Sequence, residues 1–488
     1  MQINMTITPK EMEKDLARLF ALSGQKIMAI EKEWDPSRGT PVFTVNGKYT
    51  TRGWTEWTQG FQYGSALLQF EATGEESFLE VGRKNTVQRM APHVSNIGVH
   101  DHGFNNVSTY GNLRRLMREG RIPFDQWEMN FYELALKVSG AVQASRWSPT
   151  AYGSGYIRSF NGPHSLFCDT IRSLRALALA HRLGHVLMGE GDRPISLLAR
   201  AIEHARTTAM FNVYYGTGRD NYDVRGRVAH ESIFNTTDGC YRCPSTQQGY
   251  SPFSTWTRGL SWVICGYAEQ LEFLATVDDG EYQAALAMTR KSGALLPATA
   301  SLPPGVPEID ISTKEKALAF MLDTALAAAD FWIENTPLDG IPYWDTGAPG
   351  LVHLGDYLCR PADPYNNYEP VDSSAAAIAA QGFIRLGRFL SARKGEERDQ
   401  AAAGLRYIQA GRTIAAALIR APYLSEDPGH QGLLLHSIYH RPNNWDYVPP
   451  QSRISHSESS MWGDYHLREL AVMLWRELKG EPNFTFYA

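Results

Sequence analysis

The chain has 488 residues, near-balanced charge (Lys+Arg 47, Asp+Glu 52) and no basic run. That length suits a large barrel or several smaller domains, and the charge balance argues against nucleic acid as a partner. No stretch approaches the roughly 20 apolar residues of a membrane span, and MQINMTITPKEMEKDL lacks the basic and apolar regions of a signal peptide. A cytoplasmic location is therefore expected, or a periplasmic one if a leader has been removed.

Taken in chain order, the segments read as helices almost throughout, because Ala/Leu-rich stretches with three-to-four spacing outnumber alternating Val/Ile/Thr runs. They come in two kinds. The amphipathic, charged kind covers 9–30, 76–90, 126–146, 192–211, 313–335 and 397–420. The other kind opens with aromatic, Gly, Ser or Asp residues and then turns apolar: 54–74, 100–117, 164–184, 254–274, 371–388 and 459–475. The two alternate, outer then inner, six times. A regular alternation of this kind predicts an all-α fold, an (α/α)6 barrel of six helical hairpins, rather than an open solenoid. A solenoid would not need Trp, His and Asp at every inner-helix start. One domain spanning 1–488 is expected, with the inner helices starting at a common end and the long loops 148–164, 219–250, 339–370 and 424–458 gathered there.

Aromatic residues make up 11% of the chain, including 12 Trp and 23 Tyr. Such side chains combine a stacking face with a polar handle, which suits a sugar as well as it suits a large core. The five cysteines are odd in number and fit a reducing compartment. Cys240 and Cys243 form a lone CxxC without the second pair of a structural zinc site.

Asp101, in HDHGF, and Asp169, in LFCDTI, stand at the starts of consecutive inner helices. Neighbouring helices can turn two such carboxylates toward one cleft, the usual equipment for sugar chemistry. The apolar neighbours of Asp169 predict a raised pKa and a retained proton; the alternative is a plain helix N-cap. His100, Asp101 and His102 are adjacent and point in different directions, so they do not form a metal cage; the histidines suit hydrogen bonds to a ligand or to Asp101. His230, Gln248, Trp256, Arg258 and Trp262 form a second constellation able to stack on a ring and bind hydroxyls or a carboxylate, with Trp57 adding a further wall.

Together, WTQGFQYG, HDHGF, the Asp169 helix, QGYSPFSTWTRGLSWVICGY, GIPYWDTGAP, PVDSSAAAIAAQG and WGDYHLREL resemble, in order and over residues 57 to about 470, the unsaturated glucuronyl hydrolases of glycoside hydrolase family 88. The resemblance implies an (α/α)6 barrel without metal or cofactor. It implies a substrate made by polysaccharide lyases: an oligosaccharide with a non-reducing terminal Δ4,5-unsaturated uronic acid. Its vinyl ether is protonated at C4 and hydrated at C5, and the hemiketal then rearranges to release the remaining saccharide. Carried over, Asp169 matches the general acid/base and Asp101 the supporting carboxylate. Trp57, His100, His230, Gln248, Trp256, Arg258, Trp262 and Tyr439 fall to substrate binding. The departures, Leu260 and Ser261 in RGLSW and longer 339–370 and 424–458 segments, bear on the pocket rim. Polysaccharide, linkage, sulfation preference and oligomeric state stay open. The alternatives are an unsaturated rhamnogalacturonyl hydrolase, a sugar epimerase relying on histidine pairs, and a non-catalytic carbohydrate-binding scaffold.

Overall fold

A computed structural model describes residues 1–53, 56–291, 293, 296–393 and 398–487. The outer helices are α1 (Glu13–Glu33), α3 (Glu76–Arg89), α5 (Gln126–Ser145), α7 (Leu197–Phe211), α10 (Lys314–Asn335) and α12 (Arg398–Leu418). The inner ones are α2 (Gln59–Thr73), α4 (residues 102–118, with a π turn at Val107–Gly111), α6 (residues 170–182), α8 (Thr257–Leu274), α11 (Ser373–Ala392) and α13 (Met461–Leu478). Each inner helix packs on the next, and α13 returns to α2, so the six close into a ring, an (α/α)6 barrel. One further helix, α9 (Asp279–Lys291), follows α8 and packs on α7. Residues 54, 55 and 397, where the first inner and last outer segments were expected to begin, lie outside the described residues.

Small residues set the ring's diameter. A methyl group at Gly103 of α4 would lie 2.1 Å from the Ser173 carbonyl oxygen on α6. One at Gly60 of α2 would meet Asn105 at 2.3 Å, and one at Gly382 of α11 would meet Cys265 at 2.7 Å. Backbone therefore touches backbone where inner helices meet, which explains why they are rich in Gly, Ala and Ser while the outer helices carry the charge. The inner helices are buried nearly all round.

Two predicted boundaries move. The segment 164–184 begins with a strand, β1 (Ser165–Phe167), before the helix starts at Thr170. Strand β1 pairs antiparallel with β2 (Glu231–Phe234), which pairs with β3 (Tyr241–Ser245). Residues 193–196 form a hairpin with 186–189, and α7 starts only at Leu197, where the Ser196 hydroxyl accepts from the Ala199 N–H. Strand β1 finds its partner far along the chain and residues 193–196 find theirs in the adjacent hairpin arm, and helical periodicity registers neither pairing.

Deeper in the barrel, toward the helix C-termini, the axis is filled by a buried web of opposite charges. Arg172 meets Glu269 at 2.6 Å and Glu469 at 3.2 Å, and Arg385 meets Glu272 at 2.6 Å. The C-terminal segment closes this end: Phe484 lies 4.2 Å from the Arg115 guanidinium and Phe486 5.4 Å from that of Arg175. No described helix is long and apolar enough to cross a membrane.

Candidate active site

At the other end, the starts of the inner helices surround a narrow pocket with a cavity volume of about 30 Å³. Its walls include Asp101, Asp169, His100, Gln248, Trp256, Arg258, Trp262, Trp57 and Tyr439, nine of the ten residues singled out from sequence. The tenth, His230, stands directly behind: its ring lies 4.6 Å from that of Trp256 and 4.5 Å from that of Phe167. Three of the four long loops supply lining residues or their immediate support: Phe160, then Gln248 with His230, then Tyr439. The fourth, 339–370, acts from behind, where the Asp345 carboxylate accepts from the Tyr250 N–H at 2.8 Å and the Trp344 carbonyl from the Thr257 N–H. Larger surface concavities exist, among them one beside Glu203 and Arg290, but none of them holds the acid pair.

Asp101 and Asp169 occupy the residue before the first turn of α4 and α6, yet neither side chain caps its helix. This sets aside the capping alternative for Asp169. The His100 Nε2 stands between them, 3.7 Å from Asp101 Oδ1 and 3.6 Å from Asp169 Oδ1. His100 is itself buried, its ring edge-on to Phe167 at 5.6 Å. His102 turns away, its ring nitrogens engaged by Asn96 and Ser139; burial brings its pKa down to about 4. Adjacent residues thus face different ways, as their spacing requires.

The charge state of Asp169 differs from the expectation. Burial does push the carboxyl up, but the His100 imidazole 3.6 Å away, together with His230, outweighs it and brings the group below the usual carboxylate value. Conversely, burial disfavours charge on His100, while Asp101 and Asp169 outweigh that and raise its pKa. The apolar neighbours in sequence were correctly read as burial. The imidazole from the preceding inner helix, 69 positions away in the chain, reverses the sign.

Arg258 is buried between the rings of Trp256 and Trp462, at 4.6 and 4.9 Å. Its guanidinium donates to Asp372 Oδ2 at 2.8 Å, to Gln248 Oε1 and the Tyr439 carbonyl at 2.7 Å each, and to the Ile438 carbonyl. A fork engaged in this way orients its neighbours. An arginine only donates, so Gln248 must turn its oxygen to Arg258, leaving its NH2 for the pocket. His230 is fixed similarly: its Nδ1 accepts from the Gln247 N–H at 3.1 Å, which makes Nε2 the protonated nitrogen of the neutral ring. Burial lowers its pKa, against the opposing pull of Asp169. The bond from the Cys168 N–H to the His230 carbonyl, 2.9 Å, ties this strand to the start of α6 and so to Asp169.

Trp57 stacks on Trp462 at 4.9 Å, and Trp262 leans on Phe104 at 4.8 Å. Sequence reasoning passed over Phe104, Phe160 and Phe167, which complete the aromatic wall, and Asp372, which caps α11 through the Ser374 N–H while holding Arg258. Phe104 and Asp372 lie inside motifs already singled out, HDHGF and PVDSSAAAIAAQG; nothing local distinguishes Phe160. Cys240 and Cys243 flank the start of β3, away from the pocket residues, and no described group of three His, Cys, Asp or Glu side chains could hold a metal ion.

Fold and site together define a class: an (α/α)6 barrel with a carboxylate pair in an aromatic-walled pocket at its inner-helix N-termini. No family model matches the chain. The chain resembles the unsaturated glucuronyl hydrolases. One from Bacillus sp. (strain GL1) is 26% identical over 451 residues, which span 89% of this chain and 90% of that protein. An unsaturated chondroitin disaccharide hydrolase from Streptococcus agalactiae serotype III (strain NEM316) is 22% identical over 447 residues, spanning 90% of this chain and 86% of that one. Among solved structures, an unsaturated glucuronyl hydrolase specific for heparin shares the fold with a TM-score of 0.66 and 18% identity, covering 96% of this chain and 98% of its own.

Proposed function

We propose that the protein is a hydrolase of the unsaturated glucuronyl type, acting as one catalytic unit on lyase-generated oligosaccharides that carry a terminal Δ4,5-unsaturated glucuronic acid. The observation that carries this reading is the placement of two carboxylates within 4 Å of one imidazole nitrogen, inside an aromatic pocket, in a chain similar along about nine-tenths of its length to such enzymes.

In this reading Asp169 is the acid and base. It delivers a proton to C4 of the vinyl ether, positive charge develops at C5 and the ring oxygen, and a water adds at C5 as its proton returns to Asp169. Asp101 keeps negative charge beside the developing cation. The incoming uronate is itself an anion, and a further negative charge in a dry site favours protonation of Asp169, the form the reaction requires. Trp57, Trp256 and Trp262 wall the sugar ring. The Gln248 NH2, the Nε2–H of His230 and the Tyr439 hydroxyl donate to its oxygens, and His100 faces it beside the acid pair. Arg258 serves the substrate by holding Gln248 and Tyr439 in place.

The test is loss of the ultraviolet band of the conjugated double bond on incubation with a panel of unsaturated uronic disaccharides. Wild type should remove the band. Asp169→Asn, folded as judged by circular dichroism, should slow its loss by roughly 10²–10⁴-fold. Folded wild type that leaves every disaccharide intact would reject the reading.

A further inference from the structure

The pocket contains a group that the two-carboxylate scheme leaves idle. His100 is 2% exposed, and among the described residues neither of its ring nitrogens has a hydrogen-bonding partner apart from the flanking carboxylates. Several other buried polar groups of the pocket are fixed by neighbours, Gln248 by Arg258, His230 Nδ1 by a backbone N–H and Arg258 by four acceptors, while the His230 Nε2 and the Tyr439 hydroxyl lack a partner among the described residues but do not lie between the two carboxylates. A buried imidazole equidistant from two carboxylates is instead placed to exchange a proton with either.

We propose that His100 is the proton reservoir of the acid pair: its Nε2 carries the catalytic proton in the resting enzyme and passes it to Asp169 when substrate enters. The inference rests on the hydrolase reading above and assigns His100 a role beyond contact with the ligand.

The surroundings favour this. The titratable and charged groups that act on the ring are Asp101 and His102 from its own helix start, Asp169 from the start of α6, Arg146 from the end of α5, His230 from β2's edge and His204 from α7. The two carboxylates raise the affinity of His100 for a proton; Arg146 opposes them and is weaker. Burial keeps His204 neutral, its pKa down to about 3. One proton shared by three groups gives the trio a net charge of −1, a smaller burden in a buried site than two bare carboxylates. At 3.6 Å the Nε2 is only about 0.8 Å beyond hydrogen-bond length from Asp169, so a small side-chain shift completes the transfer path.

The cycle balances. The N–H bond of the imidazolium breaks and an O–H bond forms on Asp169, leaving neutral His100. Asp169 gives that proton to C4, where the π pair of C4=C5 becomes the new C–H bond. Water adds to C5, one of its protons passes to the Asp169 carboxylate and from there to Nε2, and the trio regains its resting state. The net change is one water added across the double bond.

The experiment is the pH dependence of kcat/KM on an unsaturated disaccharide for wild type, His100→Gln and His100→Asn. Wild type should lose activity on the alkaline side as the imidazolium gives up its proton. In the variants the carboxylates alone must hold the proton, so this limb should move acidward by about one pH unit or more, with roughly tenfold lower activity at neutral pH that partly recovers in acid. A histidine that only contacts substrate or fills space would give a loss uniform with pH and an unmoved limb, which would overturn the inference. If both variants fail to fold, the wild-type limb decides at a second temperature. An imidazolium limb moves to lower pH on warming, a carboxyl limb stays in place, and the latter outcome would also overturn the inference. Absence of any turnover by wild type would instead reject the hydrolase reading itself.

Discussion

Replacing Arg258 by methionine separates an orienting role from a substrate-binding one. The side chain is 1% exposed and Asp372 is fully buried, so the change leaves an uncompensated carboxylate and removes donors from two carbonyls and from Gln248. Breaking a buried, hydrogen-bonded ion pair on one side costs about 3–5 kcal/mol. The Ser374 hydroxyl and backbone N–H still donate to Asp372, at 2.5 and 3.1 Å, which places the expected loss at the lower end, about 3 kcal/mol. Adding Asp372→Asn should recover part of it, with a coupling of about 2 kcal/mol, because no charge is then left bare. Activity should fall about a hundredfold as Gln248 and Tyr439 lose their anchor, the cost expected of a displacement near 1 Å at a reacting site. Urea unfolding followed by circular dichroism reads the first effect and loss of the ultraviolet band the second. A variant as stable as wild type within about 1 kcal/mol, with only KM raised and Arg258→Lys restoring it, would refute this reasoning and return Arg258 to the substrate.

Two further predictions concern the scaffold. Gly103→Ala should force α4 from α6, since the new methyl group would fall 2.1 Å from the Ser173 oxygen; we expect a loss of about 1–3 kcal/mol, and of activity with it, because the same two helices carry Asp101 and Asp169. An alanine variant with wild-type melting temperature and rate would contradict the packing argument. Glu203, on the outer helix α7, has its carboxyl pushed up to about 7 by burial, against the opposing charges of Arg206 and Arg290. Its folded-state pKa lies above the unfolded value near 4.5, so its contribution is fully present below about pH 4.5 and is lost as pH rises through 7, by about 3 kcal/mol. Glu203→Gln should flatten the pH dependence of the urea midpoint across that window; an unchanged slope would disprove the assignment.

The barrel was legible because inner and outer helices obey different chemistry: backbone contacts at Gly60, Gly103 and Gly382 demand small residues, while outer faces accept charge. The pocket was legible in part, because motifs at inner-helix starts converge once the ring closes. What could not be read locally depends on partners distant in the chain. Asp169 is as buried as LFCDTI suggests, but the sign of its shift is set by His100. Arg258 suggests carboxylate recognition until Asp372, 114 positions later, is seen holding it. Strand β1 reads as a helix start because its partner, β2, lies far downstream.

The charged web that fills the barrel axis beneath the pocket, sealed below by Phe484 and Phe486, governs molecular traffic. With its lower end stoppered, the cylinder is a blind well and not a tunnel. A polymer cannot thread through it, so only a chain terminus can descend. On the proposed hydrolase reading, both products depart by the rim through which the substrate entered, one encounter at a time.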